Sequence, residues 1–349
     1  MFVSDVSRFV FCFGTNDVFS TDFDPMLVRW SDQESFLEWS PAATNQAGSL
    51  RLSKGSEIVS VLQSRQEILV WTDTSVYSFQ YVGPPIVWGS QIVADNITIA
   101  SQNASIFANN TVYWMGKDAF YTYAGQAQVL PCSLLRYVFD DINRTQFDQI
   151  FAGSNEQFYE IWWFYPSASS NIIDRYVVFN YADKIWYHGN LSRTAWDSTF
   201  DQIVAATYNN NLVVHEAGND DNVTGMANPI VSYISSAETD IDDGDKFSFI
   251  WRILPDITFV NSSSESPSAK LTLLGLKNSG SGYTTPASVG GQNERAITKQ
   301  QTVDVEKFTE QLNIRIRGRQ IVLKIESDDL GVRWQLGSPR IDIRPDGRR

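Results

Sequence analysis

Ile58-Val59-Ser60-Val61-Leu62-Gln63-Ser64-Arg65-Gln66-Glu67-Ile68-Leu69-Val70-Trp71-Thr72-Asp73-Thr74-Ser75-Val76-Tyr77-Ser78-Phe79 decides the fold. It reads as a strand, a turn at Ser64-Arg65-Gln66, a strand through Val70-Trp71, a turn at Asp73-Thr74 and a third strand from Val76 to Phe79. β-Branched and aromatic residues fill the runs, and polar residues fill the breaks. Ala104 to Tyr123 repeats that plan 44 residues on, with turns at Asn109-Asn110 and Gly116-Lys117-Asp118 and strands Thr111 to Trp114 and Phe120 to Tyr123. A third copy runs from Phe151 through Ser154-Asn155-Glu156 to Tyr159–Trp163, and continues as Arg175 to Phe179 after a polar insertion. A fourth has Ile203 to Ala206, a turn at Asn209-Asn210-Asn211, and Leu212 to His215. Val70, Trp114, Trp162 and Val214 correspond, spaced by 44, 48 and 52 residues.

Such periods suit four-stranded propeller blades. A twisted blade cannot bury both faces alone, so each needs a neighbour. The predicted class is all-β: a β-propeller-like body of four-stranded blades over residues 1–227, followed by a C-terminal β-sandwich-like or blade-closing region over 228–349. Four copies are few for a ring, so residues before Arg29, residues after Asn228 or an upstream region are expected to supply further blades. Phe2 to Phe11 alternates like a strand already in progress, which leads us to expect that the sequence starts inside a longer product. Beyond Asn228 the strands read as Ile230–Ser235, Phe247–Phe259, Ala269–Leu274, Leu312–Arg317, Gln320–Ser327 and Trp334–Arg344. Asn261 to Ser266 and Asn278 to Asn293 read as Ser/Gly-rich loops, the second a candidate partner-contacting loop. Helix signals are confined to Ser133–Ile142 and a turn within Asp304–Leu312.

Composition narrows the function. Of 349 residues, 43% are hydrophobic and 13% aromatic, while 19% are charged against roughly 25% in typical domains, which describes a folded chain. The net charge of -13 argues against a general grip on nucleic acid, which needs a Lys/Arg surface to release counterions. Cys12 and Cys132 are the only cysteines, too few for a disulfide framework or a four-thiol zinc site. The sequons at Asn96, Asn103, Asn109, Asn143, Asn190, Asn222 and Asn261 read as β-turn asparagines. No apolar run approaches the roughly 20 residues that cross a bilayer, so no stable membrane insertion is expected.

Candidate chemistry is thin. His188 and His215 each lack a nearby Cys or second His, so a structural role is the stronger reading for both. No Gly-x-Ser-x-Gly elbow presents a nucleophile. Asp240 to Asp245 superficially resembles a calcium loop, but Gly244 and Trp251 stand where ligands are required, so an Asp/Gly turn is the stronger reading and a non-standard Ca²⁺ site the lesser alternative. Asp140, Asp141, Glu156, Glu160, Asp220 and Asp221 are the carboxylates from which a two-carboxylate glycosidase would have to draw. Arg315, Arg317, Arg319, Arg333, Arg340, Arg344, Arg348 and Arg349 form the one basic concentration. Arg315 and Arg317 share a strand face; they could bind phosphate, but in an acidic chain they are expected to pair with carboxylates, including those of a neighbouring subunit. We therefore predict no enzyme activity and no catalytic, cofactor-binding or metal-binding residues.

A resemblance adds to this reading. Arg29-Trp30-Ser31-Asp32-Gln33-Glu34, Glu38-Trp39-Ser40-Pro41, Thr44 to Gly48, Gln66 to Asp73, Tyr113-Trp114-Met115-Gly116, Gly318-Arg319-Gln320, Trp334 to Gly337 and Arg344 to Arg349 together resemble the tail nozzle, or packaged-DNA stabilisation, proteins of short-tailed bacteriophages. The likeness runs from about Phe11 to the end. It implies a structural virion protein, assembled in the host bacterial cytoplasm as a homohexameric ring. The ring would sit below the portal and adaptor, beside tail fibre or tailspike and needle or plug proteins, retaining packaged DNA and passing it without sequence-specific binding. The family is usually longer at its N-terminus, and it has no catalytic residues to carry over. The alternative from the residues alone is a secreted propeller glycosidase or carbohydrate-binding protein.

Overall fold

In a computed structural model that describes residues 1–200, 202–242, 244–278 and 296–347, the chain is nearly all β and divides into two units, Met1–His215 and Glu216–Arg349. The sequence reading places the boundary after residue 227.

The first unit is a run of antiparallel sheets in chain order. Sheet 1 holds β1 (Phe2–Ser4), β2 (Phe9–Asn16), β3 (Phe23–Trp30) and β4 (Gly48–Arg51). Sheet 2 holds β5 (Ile58–Gln63), β6 (Glu67–Thr72), β7 (Ser75–Gly83) and β8 (Val87–Asp95). Sheet 3 holds β9 (Ser105–Ala108), β10 (Thr111–Met115), β11 (Phe120–Tyr123) and β12 (Ala127–Leu130). Sheet 4 holds β13 (Phe151–Asn155), β14 (Glu160–Tyr165), β15 (Arg175–Asn180) and β16 (Ile185–Asn190). Sheet 5 has three strands, β17 (Ala195–Asp197), β18 (Val204–Ala206) and β19 (Leu212–Val214). The propeller-like body is therefore built of four four-stranded blades followed by one three-stranded sheet, and residues before Arg29 do supply most of one blade.

Stacking explains the continuous apolar runs. On β6, Ile68 and Val70 pack with Phe9, Phe11, Val28 and Trp30 of sheet 1, while Leu69 and Trp71 pack with Val112 and Trp114 of sheet 3. On β14, Ile161, Trp163 and Tyr165 join the sheet 3 core, and Trp162 and Phe164 pack with Trp196 of sheet 5. Alternate side chains thus serve two neighbours, so a half-buried hydrophobic-polar pattern never develops. The first strands β5, β9, β13 and β17 lie side by side. Polar contacts tie successive sheets there: Ser4 Oγ to Gln63 Oε1 at 2.8 Å, Ser60 Oγ to the Gln102 carbonyl at 2.6 Å, and the Ala152 amide to the Asn103 carbonyl at 2.8 Å.

Two readings are corrected here. Val214 lies on the third strand of sheet 5, so the counterpart of Val70, Trp114 and Trp162 falls on β18 instead. The expected helix at Ser133–Ile142 forms as α1 (Leu135–Asp141), but the turn placed in Asp304–Leu312 follows a strand, with the Thr309 amide bonded to the Glu306 carbonyl.

The second unit is a β-sandwich. Short strands β20 (Asp220–Asp221), β21 (Asn228–Pro229), β22 (Ser232–Ser235) and β23 (Thr239–Asp240) lead into β24 (Ser248–Leu254) and β25 (Ile257–Thr258). Then follow β26 (Ser268–Leu276), β27 (Ile297–Glu306), β28 (Leu312–Gly318), β29 (Gln320–Ser327), β30 (Gln335–Leu336) and β31 (Arg340–Pro345). One sheet runs β22-β29-β26-β27, with β23 also on β29, and the other runs β28-β24-β31. Their facing residues, Leu271, Leu273, Ile321 and Ile325 against Ile250, Ile253, Ile314 and Ile316, form the core. The single strand expected over Phe247–Phe259 ends at Leu254, where Pro255 removes a ladder donor. Trp334–Arg344 likewise splits into β30 and β31. Residues 279–293 of the expected Ser/Gly-rich loop lie outside the described residues.

Candidate functional site

Along β28, Leu312, Ile314 and Ile316 are buried, so Arg315 and Arg317 point to the opposite, outward face, as the period of two requires. Arg317 pairs across the sheet with Phe249 of β24, and Phe249 in turn with Arg344 of β31, which sets three outward side chains in one row. Gly275 and Gly318 let the second sheet approach. A Cβ on Gly275 would stand 2.6 Å from the Arg317 carbonyl oxygen, and one on Gly318 would stand 3.0 Å from the Gly275 Cα. Thr298 Oγ1 donates to the Gly275 and Arg317 carbonyls, and the Arg315 amide donates to Gln301 Oε1 at 3.1 Å. These bonds hold Lys299 beside the two arginines.

The result is an open cleft of about 870 Å³ with Lys277, Lys299, Arg315, Arg317 and Arg344 on its walls, and Phe247 and Phe249 among its lining. Arg317 and Arg319 lie over the Phe247 ring, 4.5 and 4.9 Å from its centroid, and Arg344 lies 5.2 Å from that of Phe249. Asp346, the one carboxylate in the lining among the described residues, pairs with Arg317 at 2.5 Å. Lys299, Arg315 and Arg344 have no carboxylate partner among the described residues. Of the cleft arginines, Arg317 is thus the one that meets the expected carboxylate pairing. Arg333 and Arg340 lie outside the cleft, and Arg348 and Arg349 lie outside the described residues. The sequence flagged Arg315, Arg317 and Arg344, but not Lys277 and Lys299, which reach the site only through sheet packing.

The other candidates are dispersed. His188 sits 4.0 Å from the Tyr137 ring, and burial, with the Arg175 charge, pushes its pKa down. His215 accepts from Arg193 Nε at 3.0 Å and lies against Trp196. Asp141 lies 3.6 Å from Arg175 Nε and Asp174 lies 3.9 Å from it, a pair the sequence reading did not single out. Burial pushes the Asp141 carboxyl up, opposed by Arg175. Glu160 accepts from Trp162 Nε1 at 2.9 Å and from the Tyr187 hydroxyl, and burial also pushes it up. Glu160 opens β14, whereas the partner of Asp141, Arg175, pairs with Tyr165 at the other end. About 16 Å of strand separates Glu160 from that end. Asp220 accepts from the Gly331 amide and Asp221 from the Val223 amide, while Asp140 and Glu156 are exposed.

Within Asp240–Asp245, Asp243 lies outside the described residues; Ile241 inserts into the sandwich core, and Asp242 turns at φ 61°. No group of three or more His, Cys, Asp or Glu side chains gathers among the described residues. Cys12 and Cys132 are unbridged, and burial pushes the Cys132 thiol up to about 12.

No protein-family model and no curated protein matches the sequence. Among solved structures, the chain is similar to Hsv2 of Kluyvelomyces marxianus, at 12% identity over 56% of this chain and 55% of that one, with a TM-score of 0.35. It is also similar to the computationally designed Ika8 protein, at 13% identity over 55% and 53%, with a TM-score of 0.35. The WD40 domain of SCAP from fission yeast shares 11% identity over 94% of this chain and 75% of that one, with a TM-score of 0.28. At these scores the likeness assigns neither family nor function.

Proposed function

We propose that the protein is a structural part of a virus particle, the nozzle or hub of a short-tailed bacteriophage, working as a ring of copies through which DNA leaves. The observation that carries this reading is the uncovered last sheet of the first unit. Trp196, Ala205 and Val213 form one cross-strand row on sheet 5, with Trp196 and the buried Ala205 turned toward sheet 4. The opposite face presents Ala195, Val204, Ala206, Leu212 and Val214 around one carboxylate, Asp197, with Leu212 79% exposed. At the other end of the run, Val3 is 56% exposed on the face of sheet 1 turned away from sheet 2. Blade stacking is driven by covering such faces, and a neighbouring subunit covers them as well as another blade does.

The sequence resemblance supplies the particular assembly. Net charge of -13 supports a conduit whose surface as a whole does not grip DNA. Mass photometry of the full chain at increasing concentration tests the assembly. The expected species is six times the 39.4 kDa chain mass, and Leu212→Lys with Val214→Lys lowers it to the monomer without changing the circular dichroism spectrum. A wild-type chain that stays monomeric at every concentration would overturn the reading.

A further inference from the structure

We propose that the basic cleft of the second unit binds a phosphate-bearing polyanion, taken either as free polyphosphate or as the sugar-phosphate backbone of a nucleic acid. Among the described residues the cleft concentrates five cations and one carboxylate around about 870 Å³, in a chain whose net charge is -13. Long-range repulsion from the rest of the molecule does not cancel a local field of this density, because charges more than about 8 Å away are screened at physiological salt.

Phosphate fits the arrangement better than carboxylate does. A carboxylate is planar and suits a single guanidinium fork, and Asp346 pairs with Arg317. Three of the other cations converge from different strands: Arg315 from β28, Arg344 from β31 and Lys299 from β27. A tetrahedral phosphate offers oxygens toward each of them, and lysine serves it as a point charge beside the arginine forks.

The aromatic residues point to backbone contact in place of base stacking. The Phe247 face is already held by Arg317 and Arg319, and Phe249 by Arg344. These contacts fix the guanidiniums before a ligand arrives, which lowers the side-chain ordering cost of binding. Recognition through the phosphates alone is insensitive to base sequence.

Fluorescence anisotropy of the full chain with a labelled oligothymidylate of about 20 nucleotides at low salt provides the test, with inorganic tripolyphosphate and poly-L-glutamate as competitors. Arg315→Gln with Arg344→Gln is expected to weaken binding at least tenfold and to flatten the salt dependence by about 0.7 for each phosphate that is no longer neutralised. Arg333→Gln, outside the cleft, is expected to bind as wild type does. If the double variant melts early, the exposed Lys299→Gln alone is read instead, with the same direction of change. Oligonucleotide binding displaced by tripolyphosphate identifies a nucleic-acid backbone. Binding of tripolyphosphate alone, followed by calorimetry and abolished in the double variant, identifies free polyphosphate. The proposal fails if neither probe binds, if the double variant binds as tightly as wild type, or if polyglutamate is the stronger competitor at equal charge. The last result would make the occupant an acidic protein segment.

Discussion

Trp71, Trp114 and Trp163 are each fully buried on the second strand of their sheets, but their indole N–H groups fare differently. Trp163 Nε1 donates to the Ala104 carbonyl at 3.0 Å, whereas Trp71 Nε1 and Trp114 Nε1 have no partner among the described residues. A buried donor without a partner costs free energy that removing it recovers. Trp163→Phe should therefore destabilise the first unit by about 1 kcal/mol more than Trp114→Phe, read from urea midpoints. Equal losses would mean that ring volume alone decides. His188 gives a pH signature. Its folded pKa lies below the usual 6.5, so between those values the unfolded chain binds more protons and stability falls as pH falls. Tyr137 and Arg175 are the groups that face it. His188→Gln should reduce the drop in Tm between pH 7.5 and 5.5; an unchanged drop would remove His188 from the account. At this scale the turn asparagines were legible in part: Asn96, Asn109 and Asn261 take φ of 56°, 46° and 66°, conformations their short polar side chains tolerate, whereas Asn190 ends strand β16, Asn103 bridges to Phe151 and Asn143 caps a short helical turn.

Elements were legible in proportion to how much apolar surface they bury on both faces. The strand around Val70-Trp71 and the one around Trp162-Trp163 announced themselves, because each feeds two interfaces. β27 did not, although it is ten residues long. It is an edge strand paired only with β26, and of Ile297 to Glu306 only Val305 is buried, so its polar sequence mimics a loop. Sheet 5 was misaligned for a related reason: strands of three residues carry too little pattern to fix register. The cleft was half legible, since the period of two puts Arg315 and Arg317 on one face, while the approach of β27 depends on Gly275. Gly275→Ala places a Cβ 2.6 Å from a backbone oxygen and should cost the second unit about 1–3 kcal/mol, followed as a lower Tm of that transition. An unaltered melt would show that the two sheets separate freely there.

For the whole molecule, two cores in two units mean that stability is not one number. The aromatic interfaces of Met1–His215 and the aliphatic sandwich of Glu216–Arg349 are each complete enough to melt as a unit. Mutations are therefore best read on the transition to which they belong. The charge of -13 and the uncovered apolar face of sheet 5 pull in opposite directions for a lone chain, since one favours solubility and the other association. Ring assembly satisfies both, with acidic surface left toward solvent or a lumen and apolar surface placed between copies. Cryo-electron microscopy of the assembled protein tests this most directly. The account predicts a six-fold ring with an open central channel and sheet 5 covered by the adjacent copy; single particles of one chain, with Leu212 and Val214 facing solvent, would contradict it.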